Sequence, residues 1–153
     1  MCENKVIGYA FIVGDLLHYG HLRFLKKCKE YCSFLIVGVF TDELCKSYKR
    51  KPIIPFKQRI ELIDALKVVD LVIKVEDKDQ TIPMMRLVAK GFTPTYLFHA
   101  DDWKLKEHPD LVSAKKYIES INGKLIQPSY TNGISTTHII NKIVMRTMNE
   151  RDS

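Results

Sequence analysis

No stretch of this chain approaches the run of about 18 apolar residues that a membrane span needs, so the sequence points to no membrane partner. The opening Met1-Cys2-Glu3-Asn4-Lys5 lacks the apolar core of a secretory signal, and the expectation is a cytoplasmic protein. Cysteine is scarce: Cys2, Cys28, Cys32 and Cys45 make no disulfide framework. Cys28 and Cys32 stand at i, i+4 on an expected helix, the spacing of core neighbours and not of a C-x-x-C redox or metal pair. Repeats, low-complexity tracts and linkers are missing, and 153 residues suffice for one domain, residues 1–153, with a real core. Zinc-finger, homeodomain and RNA-binding aromatic signatures are missing too. The net charge of +6, from 24 basic and 18 acidic residues, suits a polyanionic ligand, and by itself it also suits nucleic acid or nothing specific.

What is present is a regular alternation of buried strands and amphipathic helices. Val6 to Val13 is nearly all apolar, as a strand covered on both faces should be. Leu22, Leu25, Cys28 and Cys32 then recur at helical spacing, with Lys26, Lys27, Lys29 and Glu30 outward. Further strands are expected at Phe34 to Phe40, Leu71 to Val75, Thr95 to Phe98 and Lys124 to Ile126. Helices are expected after Thr41-Asp42-Glu43, along Ile60, Ile63, Leu66 and Lys67, from Ile82 to Lys90, from Leu111 to Ile121, and from Ser135 to about Met148. The pattern predicts an α/β fold: a single Rossmann-like three-layer domain with a mainly parallel five-stranded sheet. Such sheets bind ligands beyond the carboxyl ends of their strands. Asp15 to His21, Thr41 to Lys51, His99 to Trp103 and Tyr130 to Thr137 all follow expected strands, so they converge on one edge.

His18-Tyr19-Gly20-His21 carries the sharpest chemistry. The i, i+3 spacing puts both imidazoles on one side of a helix's first turn, where N–H groups and the helix dipole attract an anion. Gly20 removes bulk where a phosphate would approach, and imidazole N–H groups can stabilise charge on a phosphoryl centre. The second chemistry-bearing run is Gly133-Ile134-Ser135-Thr136-Thr137, at the start of the last helix. A basic loop, Lys46 to Lys51, supplies positive charge. His99, His108 and His138 are expected to be peripheral.

These two runs resemble the signatures of the small cytidylyltransferases of the H-x-G-H nucleotidyltransferase superfamily, above all the glycerol-3-phosphate cytidylyltransferase-like family. Asp15-Leu16-Leu17, Thr41-Asp42-Glu43, Pro55-Phe56-Lys57-Gln58-Arg59 and Asp101-Asp102-Trp103 match further family phrases in the right order. The resemblance implies transfer of CMP from CTP, accompanied by Mg2+, to a small phosphorylated polyol such as glycerol 3-phosphate, with pyrophosphate released and no covalent enzyme intermediate. It implies His18, His21 and Lys46 as catalytic residues, although Lys49, Arg50 and Lys51 share the loop with Lys46. It places Val13, Asp15, Gly20, Arg59, Asp102, Trp103, Gly133, Ile134, Ser135, Thr136 and Thr137 around the nucleotide. Asp15 is an indirect participant at the magnesium, no residue is assigned as a metal ligand, and the assembly is a homodimer.

Three positions depart from that family's pattern. Ile12 stands where a glycine is expected and predicts a narrower space at the α-phosphate; Ala100 replaces a glycine before the two aspartates. The stretch Pro128 to Asn132 lacks an arginine that the glycerol-phosphate enzymes carry, which removes a bidentate phosphate donor. Other phosphorylated polyols, sugar phosphates and phosphonates are thus alternative acceptors. An adenylyltransferase of the same superfamily and a nucleotide-binding protein without turnover are alternative functions.

Overall fold

The computed structural model describes residues 4–102 and 104–152. Strand β1 (Ile7–Ile12) leads to helix α1 (Tyr19–Lys29), then β2 (Phe34–Phe40), α2 (Asp42–Lys46), α3 (Phe56–Asp64) and β3 (Leu71–Val75). The second half is α4 (Thr81–Ala89), β4 (Tyr96–Phe98), α5 (Pro109–Ser120), β5 (Lys124–Ile126) and α6 (Thr136–Arg151). The five strands form one sheet in the order β3-β2-β1-β4-β5, and every pairing is parallel. The expected α/β sheet is therefore present. Cys32 lies beyond the end of α1 rather than on it, yet it is buried beside Cys28 in the same core cluster.

Alternation along the strands divides the core between the two faces. Tyr9, Phe11, Ile36 and Phe40 pack with Leu44, Met84, Leu87, Leu111 and Ile118, so α2, α4 and α5 cover one face. Ala10, Leu35, Val37 and Val39 pack with Leu25, Cys28 and Ile63, which puts α1 and α3 on the other. Because β1 pairs with β2 on one side and β4 on the other, the order in which strands are added across the sheet reverses beside β1. That switch point opens a crevice at the carboxyl ends of β1 and β4, where α/β sheets hold ligands. No helix among the described residues is long and apolar enough to cross a membrane.

Candidate active site

The turn between β1 and α1 is shaped by its own backbone. Gly14 adopts φ +69°, a conformation that only glycine takes without strain. A Cβ there would meet Ile63 Cδ1 at 2.6 Å and Ile12 Cδ1 at 3.6 Å. The Ile12 side chain thus leans toward Gly14, within the apolar cluster that holds Ile63. Ile12 also lines the crevice at the switch point, so its branched side chain takes up space there, as the sequence suggests. Asp15 is buried, and its two carboxylate oxygens accept the N–H groups of Ile53 and Ile54, each at 2.9 Å.

His18 is the N-cap of α1. Its Nδ1 accepts the Gly20 N–H at 3.0 Å, while His21 Nδ1 accepts the His18 N–H at 3.2 Å. Together they form a reciprocal capping box in which two imidazoles take the places that Ser/Thr and Glu/Gln usually fill. The close fold explains Gly20, whose Cβ would lie 2.8 Å from His18 Cε1. Since both Nδ1 atoms accept, the hydrogen-bond network assigns the proton of each neutral ring to Nε2. The rings lie against each other, with centroids 3.9 Å apart. Desolvation lowers the His18 pKa. For His21, desolvation, then His18, and in smaller measure Lys49 bring the pKa down to about 4 against an opposing pull from Asp15. At neutral pH each histidine is therefore an uncharged N–H donor.

Both rings line a cavity of about 370 Å³ at the switch point. Val13, Asp15 and Gly20 line it from the same turn, Asp102 from beyond β4, and Ile134, Ser135, Thr136 and Thr137 from the start of α6. The three hydroxyls there are anchored in different ways. Ser135 caps α6 by accepting the His138 N–H at 3.0 Å; Thr136 donates to the Asp15 carbonyl at 2.8 Å; Thr137 accepts from Arg50 at 3.2 Å. Thr136 thereby ties the second signature to the first across 121 residues of chain. Gly133, with φ +83°, makes the turn into α6 but is not on the cavity wall. Trp103 lies outside the described residues.

Two further expected residues stand elsewhere. Lys46 ends α2 with its side chain exposed and away from the wall, because the last turn of α2 turns Cys45 and Leu44 inward instead. Lys49 and Arg50, later in the same loop, line the cavity, and desolvation, the first of several influences, lowers the Lys49 pKa. Arg59 is 1% exposed and off the wall. Its guanidinium donates to the carbonyls of Ile54 and Val13 and to Asp42 Oδ1, at 2.8, 2.5 and 2.8 Å. Burial alone would raise the Asp42 carboxyl, but the Arg59 and Phe56 hydrogen bonds outweigh it and hold it below its usual value.

The cavity also gathers residues the sequence reading left out or set aside. His99, expected to be peripheral, lines it from the end of β4, its ring 5.0 Å from that of Phe11 and its Nδ1 2.8 Å from the Ala100 carbonyl. Tyr48 and Tyr130 add aromatic walls; the Tyr130 hydroxyl donates to the Ile134 carbonyl at 3.2 Å. The position of His99 directly after the strand paired with β1 was the available signal. Among the described residues, no group of three or more His, Cys, Asp or Glu is arranged to hold a metal ion. Asp15 accepts a backbone N–H on each carboxylate oxygen, which ties the histidine turn to the chain before α3.

Known proteins share both the sequence pattern and the fold. The chain is 32% identical over 133 residues to the bifunctional protein HldE of Escherichia coli, and 30% identical over 132 residues to that of Geobacter metallireducens. These matches take in 86% and 85% of the chain but about a quarter of each relative's length, 26% and 25%. A lipopolysaccharide core biosynthesis protein from Thermoplasma volcanium superposes with a TM-score of 0.64 and 27% identity, over 83% of this chain and 97% of that one. Thermotoga maritima TmcAL, solved with alpha-thio ATP, shares the fold at a TM-score of 0.63 and 15% identity, over 95% of this chain and 52% of its own. The cytidylyltransferase-like family model matches residues 14–142, from the glycine of the first turn into α6. The chain belongs to the cytidylyltransferase-like family.

Proposed function

We propose that the protein transfers a nucleoside monophosphate from a nucleoside triphosphate to the phosphate of a small phosphorylated sugar or polyol. An acceptor phosphate oxygen attacks the α-phosphorus in line, the bond to the β-phosphate bridge breaks, and pyrophosphate leaves. The observation that carries this reading is the locked imidazole pair: two Nε2–H donors, fixed by their own backbone, on a cavity shared with the start of α6 and with Lys49. Fixed donors stabilise charge that grows on a phosphoryl centre without reorganising during the reaction. Lys49 and Arg50 balance triphosphate charge, and magnesium arrives with the nucleotide and offsets the charge of the leaving pyrophosphate.

CTP is the donor that the sequence signatures favour, with ATP as the alternative. A saccharide phosphate is the first acceptor to test, for two reasons. Tyr130 lines the stretch where the glycerol-phosphate pattern has an arginine, and the 27%-identical Thermoplasma protein is described by its part in lipopolysaccharide core biosynthesis. The homodimer expected from the family likeness belongs to the same proposal. The test is pyrophosphate release from CTP and from ATP with a panel of sugar phosphates, polyol phosphates and phosphonates, with mass analysis of the product. Release coupled to a nucleoside-diphosphate-linked product supports the reading. Nucleotide binding without any product would make the chain a binding protein instead.

A further inference from the structure

We infer that Arg59 is a positioning residue, which holds the loop carrying Lys49 at a fixed place relative to the His18–His21 turn. The inference deepens the nucleotidyl-transfer reading and rests on it for the phosphate that both sides would grip.

One buried guanidinium joins three segments that reach the cavity. Through Val13 it holds the end of β1, from which the histidine turn departs; through Asp42 it holds the first turn of α2; through Ile54 it holds the far end of the basic loop. Lys49 and Arg50 lie between the last two anchors. Asp15 repeats the connection from the histidine side, since its carboxylate takes the Ile53 and Ile54 N–H groups. Asp42 completes it by also accepting the Phe56 N–H at 3.2 Å. Both ends of the loop are thus clamped to the turn that carries the imidazoles. A buried ion pair is a weak source of stability, because desolvation offsets most of its attraction, so its better-attested use is to fix one arrangement among several. Lysine cannot take the place: a single ammonium lacks the planar fork that reaches two carbonyls and a carboxylate together.

The test is a double-mutant cycle on Mg-CTP and Mg-ATP affinity, read by calorimetry, with amide exchange on the same proteins. Arg59→Lys should weaken nucleotide binding about tenfold in the otherwise unchanged protein. In a Lys49→Ala background it should change affinity less than about twofold, because the group being placed is gone. Exchange at the Ile53 and Ile54 amides should quicken while that at Leu35 and Val37 in β2 stays as it was. Equal factors in both backgrounds, or a uniform rise in exchange across the sheet, would overturn the inference and leave Arg59 a general stabiliser. Asp42→Asn keeps an acceptor for Phe56 and removes the charge; it must give the same pattern if Arg59→Lys fails to fold. If the unchanged protein binds neither nucleotide, the transfer reading fails, and the exchange pattern still decides the role of Arg59.

Discussion

His21 has two separable jobs, and two substitutions pull them apart. Its Nδ1 accepts the N-cap N–H of His18, while its Nε2–H faces away from that bond on a ring that lines the cavity. Alanine removes both. Losing a capping acceptor costs about 1 kcal/mol, which in a domain of this size lowers Tm by about 2–4 °C. Losing a donor to the reacting phosphate costs about 3–4 kcal/mol of transition-state stabilisation, or about 10²–10³-fold in kcat. Glutamine at the third helical position is an ordinary capping-box partner, so His21→Gln restores the bond to the His18 N–H. A single amide that turns back to the cap no longer presents the ring's donor to the cavity. The expected result is a near-native melting temperature for His21→Gln, a lowered one for His21→Ala, and transfer reduced by about 10²-fold or more in both. Thermal melting and pyrophosphate release on the three proteins check it. A glutamine variant that melts as low as alanine would refute the capping account, and an alanine variant within tenfold of the native rate would refute the donor account.

Other perturbations bear on neighbouring parts of the site. Lys49→Ala should weaken nucleotide binding about tenfold or more, and Lys46→Ala less than about twofold, in the same calorimetric titration; the reverse order would return the loop's role to Lys46. The folded-state pKa of His21 lies near 4, below the ordinary 6.5, so the unfolded chain binds the extra proton first as pH falls. Stability should therefore decline from about pH 6.5 to pH 4, by at most roughly 3 kcal/mol from this residue. His21→Gln should flatten that part of a denaturant-midpoint profile, and an unchanged slope would contradict the assignment. Ile12→Ala should cost about 1–2 kcal/mol in denaturant unfolding, because its side chain is half-buried against the Ile63 cluster, and should tighten nucleotide binding, because Ile12 lines the cavity. Unchanged nucleotide affinity in that variant would show that Ile12 does not crowd the phosphate.

The strands and helices were legible because each is periodic over several residues, and burial enforces the period. All five strands fall where the apolar pattern puts them, and so do the helices apart from two ends: α1 stops at Lys29, before Cys32, and α3 at Asp64, before Leu66 and Lys67. The two signatures were legible for another reason: His18, His21 and Ser135 stand at helix starts, where spacing alone sets geometry. The basic loop offered no such rule. Between α2 and α3 the chain has no period, so nothing in the order Lys46, Lys49, Arg50, Lys51 says which cation turns toward the cavity. Arg59 was expected beside the nucleotide on the family likeness, and its charge suits a phosphate equally well. Its i, i+4 relation to the buried Ile63 was the contrary signal, and Asp15 and Asp42 were within reach only once the sheet had brought the loops together.

The central claim is that this cavity moves a nucleotidyl group onto an acceptor phosphate. The most direct measurement is a single-turnover reaction with nucleoside triphosphate labelled at the α-phosphorus, a sugar phosphate acceptor and magnesium, resolved into protein, nucleotide and product. The account predicts that the label passes into the acceptor-linked product with an equal yield of pyrophosphate, and that none stays on the protein. Label that remains in the triphosphate, or emerges as free nucleoside monophosphate, would contradict it.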